Sequence, residues 1–174
     1  RSGDEVRDDI RRLRSLTDRP FAVNHTLRPF SEEAWRATLD ERPPVVSLAL
    51  GDPRPLVADA HAAGCLFVHQ VHTVEQARAA VAAGVDVVVA QGTEAGGFGG
   101  WVGALSLVPQ VVDAAGDVPV AAAGGIAYPE LGLRAMRCTG CLLLLLAWGG
   151  SAWAAEFHAT SEVAVMYDAP SAKA

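Results

Sequence analysis

The stretch VDVVVAQGTEAGGFGGWVG, Val85 to Gly103, decides how the chain is read. Val85, Val87, Val88 and Val89 surround a single acid, and the polarity changes at Gln91. A short Val-rich run of this kind is what a parallel strand buried on both faces looks like. Gly92, Gly96, Gly97, Gly99 and Gly100 follow it. Glycines placed directly after a buried strand let the backbone approach a ligand with no side chains in the way. In parallel α/β folds ligands bind at the carboxyl ends of strands. This loop is therefore the expected functional site, and the rest of the chain is its support.

Working outward, the same pattern repeats. Apolar runs predict strands starting near residues 21, 45, 66, 86, 119 and 142, six in all. A helix is expected between each pair. Val6, Ile10, Leu13 and Leu16 mark an amphipathic helix over Asp4 to Leu16. Ser31 is a good N-cap for the second helix, with Glu32 and Glu33 in its first turn. Pro55 to Ala63 is read as a short helix stopped by Gly64. Thr73 caps a helix that runs to Ala83 and stops at Gly84. Leu105 to Ala115 and Pro129 to Arg137 are further helices, and Ser151 to about Tyr167 is read as a closing one. Strand–helix alternation implies a parallel sheet with right-handed crossovers. Periodicity alone leaves two closures open, an open doubly wound sheet or a (β/α)8 barrel, which has eight units and typically about 250 residues.

Composition narrows the class. Hydrophobic residues make up 51% of the 174 and charged residues 20%, which suits a folded globular domain and not a disordered chain. The net charge of −6, with no Lys/Arg cluster, argues against a nucleic-acid surface. The apolar run Leu142 to Ala147 is too short to span a membrane. The three cysteines, Cys65, Cys138 and Cys141, suit a reducing cytoplasm. Cys138 and Cys141 form a CxxC without a second pair, so buried thiols are expected there and no metal site. The chain starts at Arg1 and enters a helix-like segment almost at once, as a fragment of a longer protein would.

Chemistry-bearing residues gather at the expected strand ends. Gly124-Gly125 follows a strand and precedes a helix, where free N–H groups and the helix dipole favour a phosphate. A plain tight turn has the same sequence. Gln70 and Gln91 end two strands, and their amides both donate and accept, which suits a pyrimidine-like edge or, equally, a strand end facing water. Asn24 ends the first strand. Among the histidines, His25 and His69 are the candidates for acid–base work. His72, beside a helix cap, reads as structural, and His61 and His158 read as helix-surface residues. Glu94 is the only acid in the loop and is read as fixing it through backbone N–H groups.

Four segments together carry a resemblance: DRPFAVN from Asp18, VVSLALGDP from Val45, HQVHTVEQARAAVAAGVDVVVAQGTEAGG from His69 and PVAAAGGIA from Pro119. In order and spacing the chain resembles the nitronate monooxygenases, FMN-dependent enzymes formerly called 2-nitropropane dioxygenases. FHATSE, from Phe157, is similar to that family's segment after the last strand. The resemblance implies a TIM (β/α)8 barrel of which residues 1–174 form a single, partial FMN-binding domain, without the first two strand units and the C-terminal lid. It further implies FMN as cofactor and oxidation of alkyl nitronates by O2 to carbonyl compounds and nitrite, with no nucleic-acid or membrane partner. On this resemblance Gly124, Gly125, Gly150 and Ser151 cup the phosphate, and Asn24, Gln70 and Gln91 contact the ring edge. Gly96 and Gly97 let the ring or substrate lie on the backbone, with Trp101 and Trp148 as walls. The family usually carries a His directly after this Gly-Gly, to take the proton alpha to the nitro group; here the residue is Phe98. A base is needed for a neutral nitroalkane and not for a preformed nitronate anion. The other activities compatible with these residues are an FMN-dependent enoyl reductase and a degenerate, noncatalytic flavin-binding barrel fragment.

Overall fold

The computed structural model describes residues 2–26, 29–125, 156–160 and 163–167, the last two stretches as backbone. Five helices and seven strands lie within them: α1 Gly3–Leu16, β1 Ala22–Thr26, α2 Glu32–Glu41, β2 Val45–Ala49, α3 Arg54–Ala62, β3 Leu66–Val71, α4 Val74–Ala83, β4 Val87–Gln91, α5 Ala104–Ala115, β5 Val120–Ala123, β6 Glu156–Thr160 and β7 Val163–Tyr167. The chain divides into two compact units, and the boundary falls inside β3, between Phe67 and Val68. It is an α/β fold in which β1 pairs parallel with β2, and β4 pairs parallel with both β3 and β5. Among the described residues no helix is long and apolar enough to cross a membrane.

In the first unit, α1 starts with a reciprocal cap. Ser2 Oγ accepts the Glu5 N–H and the Glu5 carboxylate accepts the Ser2 N–H. Val6 and Ile10 on its apolar stripe are buried with Phe21, Val23, Ala34 and Ala37. Arg7 and Arg11 pair with Asp40 and Glu41 along the seam with α2. Each pair reaches solvent through one partner, Asp40 or Arg11, so burial of the stripe is the larger stabilising effect. Ser31 caps α2 as its sequence predicts, accepting from the Ala34 N–H at 3.2 Å.

His25, named from sequence as a candidate base, lies in this core. It is 3% exposed, edge-on to Trp35, and its Nε2 is 2.9 Å from Thr38 Oγ1. The Thr38 hydroxyl donates to the Ala34 carbonyl, so its oxygen accepts from His25 and the ring is neutral with its proton on Nε2. His25 therefore packs β1 against α2.

The expected closing helix is corrected. Residues 156–160 and 163–167 form a β-hairpin, with β7 antiparallel to β1 and Ala22 opposite Met166. Phe157, Val163, Val165 and Tyr167 are β-branched or aromatic residues that favour strands. The partner strand lies more than a hundred residues away in sequence, beyond the reach of any local pattern. His158 accordingly lies on β6 and not on a helix. The helix expected over Pro129 to Arg137 and the strand over Cys141 to Ala147 fall outside the described residues, as do Cys138 and Cys141.

Burial lowers the His25 pKa from 6.5 to about 4. Between those values the unfolded chain binds the extra proton and the folded chain does not. The stability is complete above the unfolded value and is lost as pH falls toward the folded one. Urea denaturation is expected to give an unfolding free energy about 2 kcal/mol smaller at pH 5 than at pH 7 from this group. A His25→Gln variant lacks that part of the pH slope; an unchanged slope contradicts the assignment.

Candidate functional site

In the second unit α4 and α5 pack on β4 and on each other. Their apolar contacts fall on alternate strand residues. Val88 and Ala90 on β4 and Val71 on β3 are fully buried, whereas Val87, Gln91 and Gln70 are half-buried. Gln70 and Gln91 therefore share the face that the helices leave open, as a period of two requires. His69, the second candidate base, has the parity of Val71 and is 2% exposed. It is turned away from the Gln70 face and into the packed layer, so it too is a core residue in this fold.

The glycine loop begins where β4 ends. Gln91 is in register with Ala123, and the Gly92 N–H donates to the Ala123 carbonyl at 2.9 Å. This pairing puts the turn after β4 beside the turn after β5. A Cβ added to Gly124 would lie 2.9 Å from the Ala95 nitrogen and 3.3 Å from the Gly92 carbonyl oxygen. Gly124 has φ 116°, which a side chain rarely tolerates even in open space. Gly96-Gly97 and Gly124-Gly125 thus open on the same end of adjoining strands. Gly96 differs from Gly124, since its φ of 69° demands glycine but nothing lies within 4 Å of where a Cβ would be.

Three side chains fasten the loop: the Gln91 amide donates to the Gly96 carbonyl at 3.4 Å, and Glu94 and His72 hold its far end. Glu94 accepts the Ala104 N–H at 2.7 Å, at the start of α5, whose N-cap Gly103 has no side chain to do so. That hydrogen bond holds the Glu94 carboxyl below the usual range. The expectation that Glu94 fixes the loop through backbone N–H groups matches this contact. His72 is the third fastening. Its Nδ1 accepts the Gly100 N–H at 3.1 Å, and the Gln91 carbonyl oxygen is 3.3 Å from the same nitrogen. The His72 N–H in turn donates to Gln76 Oε1 at 2.7 Å, beside the Thr73 cap of α4. The Gly100 backbone sits directly on the imidazole, and a Cβ there would fall 2.6 Å from His72 Cβ. Sequence reasoning placed His72 at a helix cap but gave no sign of the clasp, because its partner is 28 residues away.

The outer part of the loop is apolar and open. Phe98 is 80% exposed and Trp101 fully exposed. Glu94 is the only acid of this loop and is engaged with the Ala104 N–H, and His72, after β3, is engaged with the Gly100 N–H. Among the described residues no cluster of His, Cys, Asp and Glu could hold a metal ion. In the first unit, Asn24 stands in the middle of β1 and not at its end, with its Oδ1 buried and without a hydrogen-bond partner among the described residues. Trp148, Gly150 and Ser151 lie outside the described residues.

The family model for nitronate monooxygenase matches residues 29–142. The nitronate monooxygenase of Pseudomonas aeruginosa is 34% identical, over 74% of this chain and 52% of that protein. The (3aS,4S,5R,7aS)-5-hydroxy-7a-methyl-1-oxo-octahydro-1H-indene-4-carboxyl-CoA dehydrogenase of Mycobacterium tuberculosis is 32% identical, over 93% of this chain and 44% of that protein. Among solved structures, FabK from Thermotoga maritima superposes with a TM-score of 0.74 at 34% identity, covering 80% of this chain and 45% of that one. The chain spans about half the length of these relatives.

The two glycine positions make opposite demands that substitution separates. Gly124→Ala adds a backbone collision to an unfavourable φ and is expected to cost about 2 to 4 kcal/mol of stability. Gly96→Ala, at φ 69° and ψ −161°, carries only the backbone penalty of that glycine region, about 1 to 3 kcal/mol, and should cost less than Gly124→Ala. Chemical denaturation of both variants checks this ordering; equal costs would mean that the two turns do not touch.

Proposed function

The chain belongs to the nitronate monooxygenase family, and from that premise we propose that it holds FMN and oxidises alkyl nitronates to carbonyl compounds and nitrite with O2. One observation carries the reading: the Gly96-Gly97 and Gly124-Gly125 turns share one end of adjoining parallel strands, side by side. A TIM barrel binds phosphates at this end of its late strands. The proposal includes that barrel, of which the strand–helix units described above are a part.

The residues present fit the cofactor. Backbone at Gly124-Gly125 offers a side-chain-free seat for the phosphate, and the sequence adds Gly150 and Ser151 to it. Gln70 and Gln91 stand half-buried on the open face, where their amides can meet a ring edge. FMN, when bound, supplies the electron-accepting chemistry that no side chain here possesses. The protein's part is to seat the phosphate, present the ring to the substrate and cover the reacting carbon with apolar surface from Phe98 and Trp101.

Phe98 sets the substrate's charge state. A neutral nitroalkane must lose a proton from carbon, and the loop has no base to take it. A nitronate arrives already deprotonated. Anionic nitronates are therefore the substrates and neutral nitroalkanes are not. Cytoplasmic residence completes the reading, on the sparse cysteines of the sequence.

The test starts with the chain purified and mixed with FMN. Bound flavin, nitrite release from a preformed alkyl nitronate and no release from the neutral nitroalkane are the expected results. Phe98→His is expected to raise the rate on the neutral nitroalkane by roughly a hundredfold, the usual scale of a positioned base. Bound flavin with no turnover of either form would favour the noncatalytic flavin-binding reading, and absence of flavin binding would overturn both.

A further inference from the structure

Glu94 makes contacts that the flavin reading leaves unused. Its Oε2 accepts the Ala104 N–H, while a Cβ on Gly103 would stand 2.9 Å from Oε1. The carboxylate therefore occupies the start of α5, where the first helical N–H groups and the dipole would otherwise attract an outside anion. Its stem faces the other glycine turn. A Cβ on Gly125 would lie 3.4 Å from Glu94 Cβ and 3.7 Å from Cγ. One side chain thus holds the start of the helix that could compete for a phosphate and stands beside the turn that is read as its seat.

We propose that Glu94 is a positioning residue for the flavin phosphate: it fills the anion position at the start of α5 and backs the Gly124-Gly125 turn, leaving the phosphate one seat. The inference rests on the flavin reading and adds to it the residue that decides where the phosphate sits. Negative charge near a phosphate is ordinarily unfavourable. Here the charge is drawn onto the α5 amide, and the side of Glu94 that meets Gly125 is hydrocarbon.

The experiment compares FMN with riboflavin, which lacks the phosphate. Affinities of both flavins are measured by fluorescence titration for the chain as given and for Glu94→Ala and Glu94→Gln. Glu94→Ala is expected to lower the FMN-to-riboflavin affinity ratio about tenfold, on the scale of one charge-assisted hydrogen bond. Glu94→Gln, whose amide oxygen still accepts from Ala104, retains most of the ratio. A general loosening of the fold would weaken both flavins alike, and an unchanged ratio in Glu94→Ala overturns the inference. Amide hydrogen exchange on the flavin-free chain gives a second readout. Glu94→Ala is expected to speed exchange at Ala104, whose N–H it leaves without an acceptor; unchanged exchange there means that Glu94 does not hold the start of α5 and overturns the inference. If the unsubstituted chain binds FMN no better than riboflavin, the phosphate reading fails by itself, and the exchange result still decides the role of Glu94.

Discussion

A hydrogen bond from the Gly92 N–H to the Ala123 carbonyl, 2.9 Å long, extends the β4–β5 ladder one step beyond the end of β4. The rest of the site depends on it. Parallel pairing brings the carboxyl ends of neighbouring strands to the same side, so the loops that leave those ends must meet. In this chain both loops open with glycine, and the backbones approach so closely that a methyl group at Gly124 would collide with Ala95. The approach is possible only because Gly124 carries no side chain. A surface built of bare backbone is also what a phosphate or a flat ring can rest on. The requirement for packing and the capacity for binding are here the same feature.

The polar side chains nearest the loop are engaged in holding it. Glu94 caps a helix that lacks a cap of its own, and His72 bridges the end of β3 to the far side of the loop. His25 and His69 are built into the packed layers. Each is a residue type that acid–base chemistry uses, and each is occupied with structure. The exposed surface of the loop is left to Phe98 and Trp101. A site of this composition can bind, orient and exclude water, and it has little with which to move protons. That division fits a cofactor that carries the electrons and a substrate that brings its own charge.

Much of the fold was legible because its signals are local. Val-rich runs closed by glycine or proline mark β2 and β4, Ser31 and Thr73 cap the helices that follow them, and the turn at Gly84 adopts the left-handed conformation that a helix stop implies. The same-side placement of the glycine turns follows from strand–helix alternation without any further information. What the sequence hid is contact over distance. Glu94 could be read as a loop anchor, but its partner Ala104 could not, and nothing at residue 72 points to residue 100. Parity on a strand decides whether His69 or Gln70 turns to the packed layer, and only burial shows that it is His69. The hairpin of β6 and β7 was read as helix because its pairing with β1 cannot be seen from within the segment.

The central claim is that backbone at two adjoining glycine turns receives a flavin phosphate. A crystal structure of the chain with FMN bound tests it most directly. The account predicts phosphoryl oxygens within about 3 Å of the Gly124 and Gly125 nitrogens, the hydrogen-bond distance for N–H donors. The Glu94–Ala104 contact would remain in place. A phosphate seated at the start of α5, or anywhere away from Gly124 and Gly125, would contradict it.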